Sequence, residues 1–80
     1  ARLANADLTN ARLDGAILNN ADLQRANLRA AKLKGASLVG ANLTGAILTR
    51  ASLVDADLSG ANLDQAIFLN AQTDGCTGCP

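Results

Sequence analysis

Alanine opens each of the first fifteen five-residue segments of this chain, from Ala1 to Ala71, and leucine holds the third place in thirteen consecutive segments, Leu3 to Leu63. The third place then becomes Phe68, Thr73 and Gly78 as the pattern decays. A repeat this short, running through almost all of an 80-residue chain, is the signature of stacked units that bury a shared core. No linker or second domain interrupts it.

The period excludes an amphipathic helix. At about 100° per residue, the alanine and leucine of successive pentads fall near ~0°, ~200°, ~140° and ~340°, all around the cylinder. An extended segment fits better, because Ala41 and Leu43 lie two apart and share a side, but the next step, Leu43 to Ala46, is three. The odd residue marks a corner. The fifth place is glycine at 15, 35, 40, 45, 60 and 75 and asparagine at 5, 10, 20 and 70. These residues accept the positive φ that the second central position of a type II turn requires. Each pentad therefore reads as a very short extended segment that ends in a turn.

If every turn bends the same way, the segments wind into a coil with alanine and leucine inside. Small and large residues then alternate within the lumen and interlock from ring to ring. Backbone groups must pair between coils, at a rise of about 4.8 Å, because the leucine column offers them no partner. A stacked column also answers a problem of size, since a chain this short normally struggles to bury enough surface. The apolar share is 49% but includes a single aromatic residue, Phe68, so a core of large interlocked side chains is not expected. No apolar run reaches the ~18 residues of a membrane span, and no signal-peptide pattern is expected at the start of the chain as given.

The segments `ADLTN`, `ANLTG`, `ADLSG` and `ANLDQ` resemble the pentapeptide-repeat family, whose pattern is Ala, Asp or Asn, Leu, then two variable residues. The resemblance runs from Ala1 to about Gly75. It implies an all-β fold, a right-handed quadrilateral β-helix with four pentads per coil and about four coils. Residues 1–75 form the β-helix and 76–80 a degenerate final repeat. The second place departs from the pattern at Arg2, Arg12, Ile17, Lys32, Ile47, Ile67 and Gln72. Corners there are expected to be less well pinned, because Asp or Asn can hydrogen-bond nearby backbone. Open column ends with luminal leucines imply a piece of a longer protein or a covering neighbour.

For function, the resemblance implies a non-enzymatic scaffold or protein-interaction module, of a family common in cyanobacteria and chloroplasts. The residues agree: the chain has no His, Glu, Tyr or Trp, and its seven aspartates are scattered over outward places, so no nucleophile has an evident base. No catalytic residue, cofactor or metal is expected. Family members that mimic DNA and bind a type II topoisomerase offer an alternative. Seven Lys and Arg balance seven Asp here, whereas a mimic should present stacked carboxylates. The two halves are oppositely charged, with six basic and three acidic groups in residues 1–40 against one basic and four acidic in 41–80. That asymmetry suggests weak end-to-end stacking.

Three groups of residues are candidate sites. The basic stretch Arg25, Arg29, Lys32 and Lys34 contains no acid and could attract an acidic partner, while the lack of aromatic platforms argues against nucleic acid. Arg12 is expected to stack on Lys32. Ile47, Ile67 and Leu69 occupy places the pattern gives to solvent, and they form the expected contact for a partner or a weak homodimer. In `DGCTGCP`, Cys76 sits at an alanine place and Cys79 at an outward one. Two reduced thiols are the first expectation; a local disulfide would imply an oxidising compartment, periplasm or thylakoid lumen, rather than cytoplasm. A redox-active tail or half a zinc site lacks the supporting pattern.

Overall fold

The computed structural model describes residues 2–80. Each second-place residue from Arg2 to Asp57 makes a parallel bridge to the residue twenty positions on, as in Arg2 with Asp22, Ile47 with Ile67 and Asp57 with Thr77. Twenty residues, or four pentads, therefore make one coil. The column has four faces. The first carries residues 2–5, 21–25, 41–45 and 61–65; the second 6–10, 26–30, 46–50 and 66–70. The third carries 11–15, 31–35, 51–55 and 71–75, and the fourth 16–20, 36–40, 56–60 and 76–80.

Backbone hydrogen bonds explain why the pentad is stable. Third- and fifth-place N–H groups donate to the next coil, as in Leu23 to the Asn42 carbonyl and Arg25 to the Thr44 carbonyl, both at 2.8 Å. The second-place N–H donates to the preceding coil, as in Asn42 to Ala21 at 2.9 Å, and the first-place N–H closes the turn, as in Ala26 to Leu23 at 3.0 Å. The fifth place has positive φ in all fifteen pentads from Asn5 to Gly75, between 56° and 72°. That is the expected type II geometry. It holds even where the residue is Arg25, Ala30, Arg50, Asp55 or Gln65, so the coil register imposes the turn on residues that do not favour it.

Among the described residues sixteen side chains are buried, the alanines and leucines from Ala21 to Leu58, and no polar or charged residue is buried with them. Leu3, Leu8, Leu13 and Leu18 at one end, and Leu63 and Phe68 at the other, are partly buried and pack on this core. The inward and outward places thus follow the alternation read from the pattern.

Candidate functional site

Because the buried core is alanine and leucine, with no polar or charged side chain among the described residues buried in it, the polar chemistry of this chain lies on its outer faces. In the pentads between Ala26 and Asp55, which have a coil on either side, one backbone donor each, the fourth-place N–H, has no backbone acceptor in the ladder. All six Asp or Asn residues at second places supply one: Asp7, Asp22, Asn27, Asn42, Asp57 and Asn62 accept from the N–H two residues on. Where the fourth residue is Thr or Ser, its hydroxyl donates to the same oxygen, at 2.6 Å for Thr44 to Asn42 and 2.5 Å for Ser59 to Asp57. These bonds favour the ionised carboxylate and hold Asp7 and Asp57 below the ordinary aspartate value.

Two pentads without an Asp or Asn at the second place borrow a cap from the coil before. Asp14 accepts the Lys34 N–H at 3.3 Å, and Asn19 accepts the Val39 N–H at 3.1 Å. The Lys32 corner, expected from the pattern to be weakly pinned, is capped after all, because its acceptor comes from twenty residues away. At Ile47 and Ile67 no substitute arrives. Among the described residues, the N–H groups of Thr49 and Leu69 have no hydrogen-bond partner within the chain, a state shared by Ala4, Asp14, Asn19, Val54 and Asp74.

The basic stretch is contiguous in sequence but not on one face. Arg25 turns the corner from the first face, where its Nε donates to Asn5 Oδ1 at 3.4 Å; Arg29 lies on the second face, and Lys32 and Lys34 lie on the third. Arg12 bridges to Lys32 as expected, and like charges at that spacing cost about 1 kcal/mol or less in water. Arg50, outside the basic stretch, sits one coil beyond Ala30 at the corner between the second and third faces. The twenty-residue register was the signal that could have found it.

Ile47 and Ile67 are bridged neighbours on the second face. Ile67 is 47% exposed and Leu69 63%, whereas Ile47 is half-buried, so the exposed part of the apolar ledge is Ile67 and Leu69, in the C-terminal coil. The most exposed large apolar side chain is Ile17, at 78% on the opposite, fourth face. It stands away from the ledge, among Asn19, Ser37 and Val39.

Cys76 and Cys79 are joined, with Cα atoms 5.8 Å apart, in place of the two reduced thiols expected first. Cys79 also departs from its expected outward position, since it is half-buried and packs on the core. The reason is Gly78, which takes the leucine place with φ 81° and so turns the chain two residues early. A Cβ there would stand 2.8 Å from the Leu58 carbonyl oxygen, which excludes other residues. Among the described residues there is no cavity and no cluster of three metal-ligating side chains.

A repeated pentad, a twenty-residue parallel register and an alanine and leucine lumen agree with a match to the family model described as pentapeptide repeats, in eight copies over residues 1–35 and 26–65. The chain belongs to the pentapeptide-repeat family. Solved structures of other pentapeptide-repeat proteins superpose on it. One from Nostoc is 39% identical with a TM-score of 0.92, over 94% of this chain and 62% of its own. One from the Arabidopsis thaliana thylakoid lumen is 34% identical with a TM-score of 0.80, over 92% of this chain and 55% of its own. HetL, involved in heterocyst differentiation regulation in Nostoc, is 40% identical with a TM-score of 0.65, over 94% and 37%. This pentapeptide-repeat chain thus spans between 37% and 62% of the length of these three proteins. A search of curated proteins finds no match.

Proposed function

We propose that this chain is a rigid, non-enzymatic scaffold, four coils of a right-handed β-helix, whose outer faces bind another protein. The observation that carries this reading is the composition of the core: the sixteen buried residues among those described are all alanine or leucine. Every charged side chain is therefore left outside, where the flat inter-coil ladder holds it at a fixed spacing. A surface of regularly placed groups on a stiff support suits recognition. The part HetL takes in regulating heterocyst differentiation is in keeping with a role in interaction.

A DNA-mimicking role draws no support from the faces. Asp7 and Asp22 precede neutral Asn27 and Asn42 in their bridged columns, so no column stacks carboxylates, and the cations are as numerous as the acids. The joined cysteines favour an oxidising compartment, periplasm or thylakoid lumen.

Photo-crosslinkers placed in turn at the outward positions Gln24, Thr49, Ser52 and Ser59, one per face, test the scaffold reading in extract of the native source. The expected result is a protein crosslinked strongly from one face and weakly from the rest. Equal labelling from all four faces would overturn it. Supercoiling by a type II topoisomerase should be unaffected at micromolar protein.

A further inference from the structure

The apolar ledge shares the second face with one member of the basic stretch, Arg29, and with Arg50 at its corner. Ile67 stacks on Ile47, and the Leu69 carbonyl accepts the Arg50 N–H at 2.9 Å, which sets Arg50 beside the ledge. One coil earlier, the Thr49 carbonyl accepts from Ala30, so Arg29 lies in the column that continues through Thr49 to Leu69. Lys32 stands just around the corner. The only acid on this face is Asp7, two coils from Ile47 in the same bridged column.

A third observation points to the same ligand chemistry. At eight other pentads a carboxylate or amide oxygen caps the fourth-place N–H. At Ile47 and Ile67 an aliphatic side chain stands in place of that oxygen, so the Thr49 and Leu69 amides are unmatched by the chain itself, as are those of Ala4, Asp14, Asn19, Val54 and Asp74 on other faces; only here do two such amides lie beside both arginines and an apolar ledge. A carboxylate brought from outside could take those N–H groups in the manner of the absent cap, next to Arg50 and Arg29, while aliphatic groups beside it cover Ile67 and Leu69. Charge-assisted hydrogen bonds of this sort are short and strong.

We infer that the second face, from Arg29 to Leu69, is a docking surface for an acidic, aliphatic polypeptide segment, its carboxylates held by Arg29, Arg50 and the Thr49 and Leu69 amides and its apolar side chains by Ile47, Ile67 and Leu69. The proposal rests on the scaffold reading and names the partner's chemistry. A nucleic acid would find the cations but nothing to stack on, and a second copy would bring its own Arg29 and Arg50 against them.

The test is selection of a displayed random peptide library on the purified chain, followed by fluorescence anisotropy of the enriched peptides. Enriched peptides should be net acidic and rich in Leu, Ile or Val. Affinity should fall at least about tenfold in I47N/I67N, a variant that restores the missing caps and so should be no less stable, and severalfold in R29Q/R50Q. No enrichment, enrichment of basic or uncharged sequences, or binding unchanged in I47N/I67N would overturn the proposal. If enriched peptides map instead to another face, the scaffold reading stands and this surface falls. Tighter binding of a single-stranded DNA oligonucleotide, or dimerisation in sedimentation that I47N/I67N abolishes, would assign the face to those ligands and likewise overturn it.

Discussion

Asn19 reaches from one coil to the next: its Oδ1 accepts the Val39 N–H at 3.1 Å and the Ser37 hydroxyl at 2.5 Å. It thus does for Val39 what a second-place Asp or Asn does within its own pentad. Replacing Asn19 by Ala removes both bonds and should lower stability by about 0.5–1.5 kcal/mol per bond lost. Asn19→Asp keeps the acceptor and should be close to neutral. Urea denaturation compares the two; equal midpoints would show that the cap is incidental.

Leu43 is fully buried at the centre of the lumen, with neighbours from the coils on both sides and no room for water. Leu43→Ala should cost about 2–5 kcal/mol, the usual range for a core leucine truncated to alanine. That is a large part of the stability of a small domain. Leu3→Ala, at a partly buried end position, should cost clearly less. If guanidinium denaturation ranks them the other way, stability does not reside in the middle coils.

Ala30 adopts φ 56°, a left-handed conformation that costs an L-residue about 1–2 kcal/mol. Glycine takes it without strain and loses about 0.5–1 kcal/mol to greater unfolded-state freedom. Ala30→Gly should therefore stabilise the column by roughly 0.5–1 kcal/mol, seen as a higher midpoint of thermal unfolding. A lower midpoint would mean that the Cβ of Ala30 contributes packing that outweighs the strain.

Much of this was legible in the sequence because the pentad encodes local geometry. Ala41 and Leu43 are inward by parity, and a cap such as Asn42 to Thr44 spans only two residues. Other features depend on the twenty-residue register. Asn19 and Val39, or Arg50 and Leu69, meet only once the coils are stacked, and the positive φ of Arg25 and Gln65 is imposed by neighbours rather than by residue type. Cys79 escaped for another reason: its inward turn follows from the fit of Gly78 against the Leu58 backbone, and nothing in the pattern specifies that contact.

Acid should weaken the column through Asp7 and Asp57. Hydrogen bonds from Thr9 and Ser59 lower both pKa values, so their contribution is fully present above the unfolded-state value near 4 and is lost as pH falls through the lower folded value. Asparagine already fills the same role at Asn42, accepting the Thr44 N–H at 3.1 Å and its hydroxyl at 2.6 Å. The double variant D7N/D57N should therefore fold, and its urea midpoint should fall less than that of the parent between pH 5 and pH 2.5. Parallel pH profiles would show that other carboxylates govern acid unfolding.

Protein purified without reductant should show no free thiol by titration and run as a monomer, and reduction should release two, because Cys76 and Cys79 are the only cysteines and are joined. The closed loop is short, so the disulfide should add at most about 2 kcal/mol by constraining the unfolded chain. Its effect should be local. The ladder reaches Thr77, whose carbonyl accepts the Leu58 N–H at 2.7 Å and whose own N–H donates to Ala56 at 2.9 Å. Reduction should speed hydrogen exchange at the Thr77 and Leu58 amides while leaving Leu43 protected. Gly78→Ala should do the same without a reductant, since its Cβ would press on the Leu58 carbonyl and push the Cys79 turn off the core. If Gly78→Ala retains a quantitative disulfide and unchanged exchange at Leu58, the tight fit at Gly78 does not determine the cysteine geometry.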